Sequence, residues 1–224
     1  MLIFTQMSKT KSIYICQNCG TNSPKWMGKC SNCGEWNTFV EEIVESKSTT
    51  NKPIATKSKP QLLQEISNEN RQRITTSESE LNRVLGGGIV PGSLILIGGE
   101  PGIGKSTLLL QVVLQSKGLK TLYVSGEESE QQLKMRADRI KQNNSEIFVY
   151  TETSVEAIMQ QIEHVQPQLL VIDSIQTLET SLIESAAGSV SQIREATHVL
   201  QQYAKRHHLP IFIVGHITKE GTIA

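Results

Sequence analysis

No ten residues constrain this chain more than GGEPGIGKST, residues 98–107. They contain the spacing Gly99-x-x-x-x-Gly104-Lys105-Ser106, and they lie between a short apolar run, LILIG (94–98), and a helix-like segment, STLLLQVV (106–113). A strand that turns through a glycine-rich loop into a helix N-terminus is built to receive phosphate. Loop N–H groups converge on the anion, and the helix end adds partial positive charge. The candidate cradle is Gly99, Glu100, Pro101, Gly102, Ile103, Gly104, Lys105, Ser106 and Thr107. In such a loop the lysine reaches the β- and γ-phosphates, the serine hydroxyl ligates Mg²⁺, and Thr107 lies near the α-phosphate. The cofactor expected on these grounds is ATP with Mg²⁺.

The segments downstream repeat the same alternation. TLYVS (121–125), IFVY (147–150), LLVID (169–173) and IFIVG (211–215) are short apolar runs of the kind that form buried parallel strands. Helical periodicity fills the intervals. Leu108, Leu109, Val112 and Val113 form one face, a polar helix covers about 129–142, and Val155, Ile158, Met159, Ile162 and Val165 form another face. A further helix spans 189–206. Thr153 and Glu156 have capping-box spacing. Strand–helix alternation of this kind predicts an α/β fold, a doubly wound parallel sheet with helices on both faces.

Three further positions belong with the loop. Asp173 closes the strand LLVID, 68 residues after Lys105, where a carboxylate completes the magnesium site. Ser174 follows it and is suited to support that shell. Glu127 and Glu128 leave the end of TLYVS, where a carboxylate can orient or deprotonate water. Glu127 is the preferred catalytic carboxylate; Glu128 stays open, as does the plainer reading that both give the next helix a negative start. His216, directly after IFIVG, is the candidate γ-phosphate sensor. The segment 174–195 is long and rich in small residues, and Ser189, Gln192 and Arg194 in it are candidates for meeting a phosphate backbone.

All four cysteines fall near the start, as Cys16-x-x-Cys19 and, after ten residues, Cys30-x-x-Cys33. Two such knuckles supply four thiolates in the tetrahedral arrangement that Zn²⁺ accepts. Disulfides do not suit a cytosolic chain, and a redox pair lacks its βαβ setting. Iron is the alternative ion. A four-ligand shell is closed, so the metal is structural, and Trp26 and Trp36 are expected to form the small core around it. Residues 8–42 therefore read as a zinc-binding domain. Residues 43–74 are rich in Ser, Thr, Lys, Asn and Pro and read as a flexible linker, with one docking segment at Leu62–Ile66. Residues 75–224 read as the phosphate-loop domain.

Bulk properties exclude little else. Hydrophobic residues make up 38% and charged residues 20%, and the net charge is zero. Residues 1–60 hold eight lysines and four glutamates, too mild an excess to argue nucleic-acid binding. No apolar run approaches the roughly 18–20 residues that span a bilayer. MLIFTQM is too short for a signal-peptide core, and Met7 begins a more natural terminus, so a cytoplasmic protein without membrane contact is expected.

Several stretches resemble the bacterial RadA (Sms) family of RecA-like DNA repair ATPases. They are YICQNCGTNSPKWMGKCSNCGEWNTFVEE, LNRVLGGGIVPGSLILIGGEPGIGKSTLLLQ, LYVSGEES, LLVIDSIQT, GSVSQIRE and IVGHITKEG. The resemblance implies a RecA-like core behind a zinc ribbon, assembled as a homo-hexameric ring. It implies an ATPase that binds single-stranded and branched DNA, promotes branch migration and works alongside a RecA-type recombinase. It also implies that the loop near 180–190 and the loop from His216 through Lys219 face DNA. The family's Lys-Asn-Arg-Phe-Gly stretch and Lon-like C-terminal domain are absent from these residues. The chain therefore reads as the N-terminal part of such a protein, C-terminally incomplete, with one edge of LILIG left unpaired.

Overall fold

The computed structural model describes residues 10–45, 62–65 and 72–216. Candidate Lys219 lies outside them, as do residues 46–61 and 66–71 of the linker. Leu62 and the short 3-10 turn Leu63–Glu65 are exposed.

The first unit is a three-stranded antiparallel sheet of β1 (Thr10–Cys16), β2 (Asn22–Ser23) and β3 (Phe39–Glu45), in the order β2-β1-β3. Cys16 pairs with Phe39 at the sheet end, where both cysteine knuckles gather. The knuckles use the same backbone bonds. Cys16 N donates to Thr21 O and Gly20 N to Cys16 O; Cys30 N donates to Glu35 O and Gly34 N to Cys30 O. Gly20 and Gly34 close these turns at φ of 68° and 79°, which glycine adopts without a Cβ penalty. The buried centre is Cys16, Cys30 and Phe39, with Tyr14 and Met27 against them. Trp26 and Trp36 do not form it, contrary to expectation; they are 55% and 67% exposed. Thiols and a single phenylalanine are enough when a metal site occupies the middle.

The second unit is the predicted α/β layer. Short α1 (Ser79–Val84) leads to β4 (Leu94–Gly99), α2 (Lys105–Gln115), β5 (Thr121–Ser125), α3 (Glu130–Ile140), β6 (Ile147–Thr151), α4 (Val155–Val165), β7 (Leu169–Asp173), α5 (Val190–His207) and β8 (Ile211–His216). The five strands are all parallel, in the order β4-β8-β7-β5-β6. Every residue of β5 and β7 is buried, which is why they read as continuous apolar runs. Among the described residues β4 pairs with β8 alone.

Strand alternation divides the core in two. Leu122, Val124, Leu170, Ile172, Ile211 and Ile213 face α4 and α5. Tyr123, Leu169, Val171, Phe212 and Val214 face α2 and α3. Leu108, placed on the buried face of α2 by periodicity, is 40% exposed; Leu110 and Leu114 fill that face instead. The cap of α4 is Ser154, whose hydroxyl accepts from Ala157 N, not the expected Thr153. Glu156 accepts from the Ser154 hydroxyl with one oxygen and from Thr180 and Ser181 with the other. Ile158 is fully buried between α4 and the sheet. Ile158→Ala is expected to lower unfolding free energy by about 2–5 kcal/mol, measured by urea denaturation.

Candidate functional site

The strands deliver their chemistry at one edge, where β4, β5, β7 and β8 all end. In a parallel sheet the carboxyl ends of the strands and the helix N-termini share that side. Lys105 opens α2, and its side chain folds back over its own loop. Its Nζ donates to Gly99 O at 2.8 Å and Glu100 O at 2.9 Å, and lies 3.1 Å from His216 Nδ1. Ser106 Oγ donates to Asp173 Oδ1 at 2.9 Å, so the first turn of α2 and the end of β7 are joined directly.

The two neighbouring glutamates point to different places. Glu127 accepts from Ser174 Oγ at 2.6 Å, and its Oε1 lies 3.2 Å from His216 Nε2. Lys105, His216, Glu127 and Ser174 thus form one continuous polar chain across the strand ends. Burial pushes the Glu127 carboxyl up, but the Ser174 hydroxyl, the His216 ring and the Lys105 charge outweigh it and hold the group below the ordinary carboxylate range. It is ionised at neutral pH. Glu128 turns toward α3 and pairs with Arg136. One of its oxygens is buried without a partner.

Several residues at this edge escape sequence reasoning. Tyr123 donates its hydroxyl to Asp173 Oδ2 at 2.7 Å. Gln176 Nε2 donates to His216 O at 3.2 Å, tying the turn after β7 to the end of β8. Gly126 lies so close to Thr177 that a Cβ would fall 2.0 Å from its hydroxyl oxygen. Each looks ordinary in sequence: a core aromatic, a polar turn residue and a loop glycine. The peptide between Asp173 and Ser174 is cis.

The expectation that Ser189, Gln192 and Arg194 together meet a phosphate backbone needs correction. Gln192 is 2% exposed, and its amide is spent on Thr180, Ile183 and Ser185 of the loop before α5. It organises that loop from inside. Ser189 caps α5 by accepting from Gln192 N. Arg194 reaches the first cysteine knuckle, donating to Gly20 O at 3.0 Å and Cys19 O at 3.3 Å. Ser191 donates to the buried Glu42 of β3 at 2.6 Å, so α5 and the small sheet meet at two points.

The four cysteine sulfurs lie within 4.8 Å of one another. Cys16 and Cys33 are 3.7 Å apart, and Cys19 and Cys30 are 3.6 Å apart. A tetrahedral ion with metal–sulfur bonds near about 2.3 Å requires sulfur separations of about 3.8 Å, so the donor set fits a metal. Burial opposes a Cys19 thiolate, but the Thr21 hydroxyl and other donors bring the group down to about 5. The Glu35 N–H favours a Cys33 thiolate, yet burial and the Cys30 and Cys19 sulfurs push it up to about 11. A dication at a site with four thiols this close would supply the positive charge that lets them coordinate as thiolates.

Comparison with known proteins agrees with this arrangement. Residues 59–222 match the AAA domain family, and residues 14–41 match a rubredoxin metal binding domain. The DNA repair protein RadA of Bacillus subtilis is 52% identical over 97% of the chain. That of Listeria monocytogenes is 51% identical over the same share. The chain belongs to the RadA family of AAA-domain proteins. It spans about half the length of these curated RadA relatives, 49% of the first and 48% of the second. A KaiC-like protein of Pyrococcus horikoshii shares the fold, with a TM-score of 0.55 and 18% identity over 67% of this chain and 73% of that one. The architecture is therefore a RecA-like phosphate-loop core preceded by a four-cysteine zinc ribbon, the one the RadA resemblance implies. No helix among the described residues is long and apolar enough to cross a membrane.

Proposed function

We propose that the chain is the zinc-ribbon and motor-core part of a DNA-dependent ATPase of DNA repair and homologous recombination. The observation that carries this reading is the convergence of the Lys105 loop, Asp173 and Glu127 at one sheet edge. RadA relatives at 50–52% identity support the DNA repair setting. Branch migration by movement on single-stranded DNA, a hexameric ring and work beside a RecA-type recombinase complete the proposal for the whole protein.

Each residue takes a definite part. Loop N–H groups between Gly99 and Gly104 and the N-terminus of α2 receive the phosphates. Lys105 exchanges its two carbonyl partners and His216 for β- and γ-phosphate oxygens. Ser106 and Asp173 are the residues that would hold magnesium, which supplies charge neutralisation on the phosphate oxygens. A water attacks the γ-phosphorus and the bond to the β–γ bridging oxygen breaks. Glu127, ionised and held by Ser174, orients that water and accepts its proton. His216, between Lys105 and Glu127, changes partners as the lysine moves, which suits it to report nucleotide state. The ion at the cysteines is proposed to be zinc, the soft tetrahedral ion that four thiolates select.

The test is ATP turnover with and without single-stranded DNA, in the chain and in the full-length protein. DNA stimulation of the full-length protein supports the reading. Its absence there sinks the motor and leaves a nucleotide-gated binding module. Within the site, Glu127→Gln is expected to slow turnover by about a hundredfold or more while ATP still binds. Glu128→Gln is expected to disturb chiefly the pairing with Arg136. The reverse pattern in single-turnover assays reassigns the catalytic carboxylate.

A further inference from the structure

We infer that Tyr123 is a positioning residue for the magnesium step, holding the Asp173 carboxylate in the orientation the nucleotide site uses. The inference rests on the ATPase reading of that site. In the β5–β7 pairing Tyr123 is opposite Val171 and Ser125 opposite Asp173, so the tyrosine lies one pleat behind the carboxylate on the α2 side of the sheet. Its ring is fully buried in the apolar cluster that includes Leu110, Leu133 and Val171. Phenylalanine would fill that space as well. A hydroxyl there costs free energy unless it is satisfied. Its partners are Asp173 Oδ2 at 2.7 Å and, more distantly, Ser106 O at 3.5 Å.

The carboxylate is itself only 4% exposed. One oxygen accepts from Ser106 and the other from Tyr123. A hydroxyl that gives a lone pair to a metal keeps its proton to donate, so Ser106 can continue to serve Oδ1 with magnesium bound. Oδ2 has Tyr123 as its fixed partner. Without that bond Ser106 is the carboxylate's one remaining hydrogen-bond donor against rotation about its terminal torsion, which is intrinsically broad. Outer partners of metal ligands commonly contribute about 10–100-fold to metal affinity.

The test uses the 224-residue chain and a fluorescent ATP analogue, titrated with MgCl₂ and compared with EDTA. Tyr123→Phe is expected to raise the magnesium concentration for half-maximal binding by about tenfold, while affinity in EDTA stays unchanged. Tyr123→Met, which also lacks the hydroxyl but packs differently, should show the same shift whatever its urea midpoint. A shift that tracks loss of stability across the two variants, or no shift in either, overturns the assignment. If the wild-type chain binds the analogue equally with and without magnesium, the ATPase reading falls and the assignment falls with it. A normal wild-type response with an unaltered Tyr123→Phe response removes only the assignment.

Discussion

Lys105→Ala is expected to reduce ATP hydrolysis by at least about a hundredfold in any form of the protein that turns ATP over. The size follows from what the ammonium does. On the proposed reading it is the positive side chain that meets the phosphates, and it is 7% exposed, in a setting where charge is poorly screened. It is held by two loop carbonyls and His216. Those contacts are replaceable by water, so the variant should keep its fold and melt close to the wild type. The two measurements together are decisive. Lost turnover with a retained melting transition assigns the effect to the site, and unchanged turnover refutes the phosphate-loop reading.

Metal removal should have the second large effect, centred on the small unit. The described ribbon has a buried centre of two cysteines and one phenylalanine, with partly buried neighbours. That is too little apolar area to offset the conformational entropy of ordering the ribbon. Structural zinc supplies about 10–16 kcal/mol in comparable small sites at neutral pH. Chelation, or Cys16→Ser, is therefore expected to unfold residues 10–45 while the α/β unit stays folded. Hydrogen exchange at β1 and β3 gives the readout, with metal analysis near one ion per chain beforehand. Persistent protection of both strands after complete removal would count against a structural metal. Loss of the knuckle also removes the carbonyls that Arg194 grips, so exchange should rise at the first turn of α5. An unchanged first turn would mean that the two units are energetically independent.

The regular elements were legible because burial leaves a plain signature. TLYVS and LLVID match their strands residue for residue, since a strand covered on both faces has no reason to alternate. The loop, Asp173 and the cysteine pairs were legible because their chemistry depends on local spacing. What escaped depends on neighbours remote in the chain. Thr153 and Ser154 are both cap-forming residue types, and the structure places Ser154 at the cap. Trp26 and Trp36 are the obvious core of a small domain until the thiols are seen to occupy its middle. Gln192 has the composition of a solvated helix start, yet the loop from Thr180 to Ser185 wraps over it.

The sequence by itself determined a five-strand phosphate-loop layer behind a four-cysteine metal knuckle, because hydrophobic periodicity, glycine placement and ligand spacing act over a few residues. Only the tertiary structure decided which of two adjacent glutamates faces Lys105 and His216 and which turns to Arg136. It alone joined Tyr123 to Asp173 and Arg194 to the knuckle. Those pairings span 50 and 174 residues of chain, and their geometry exists only once the strands have taken their order in the sheet and α5 has met the ribbon.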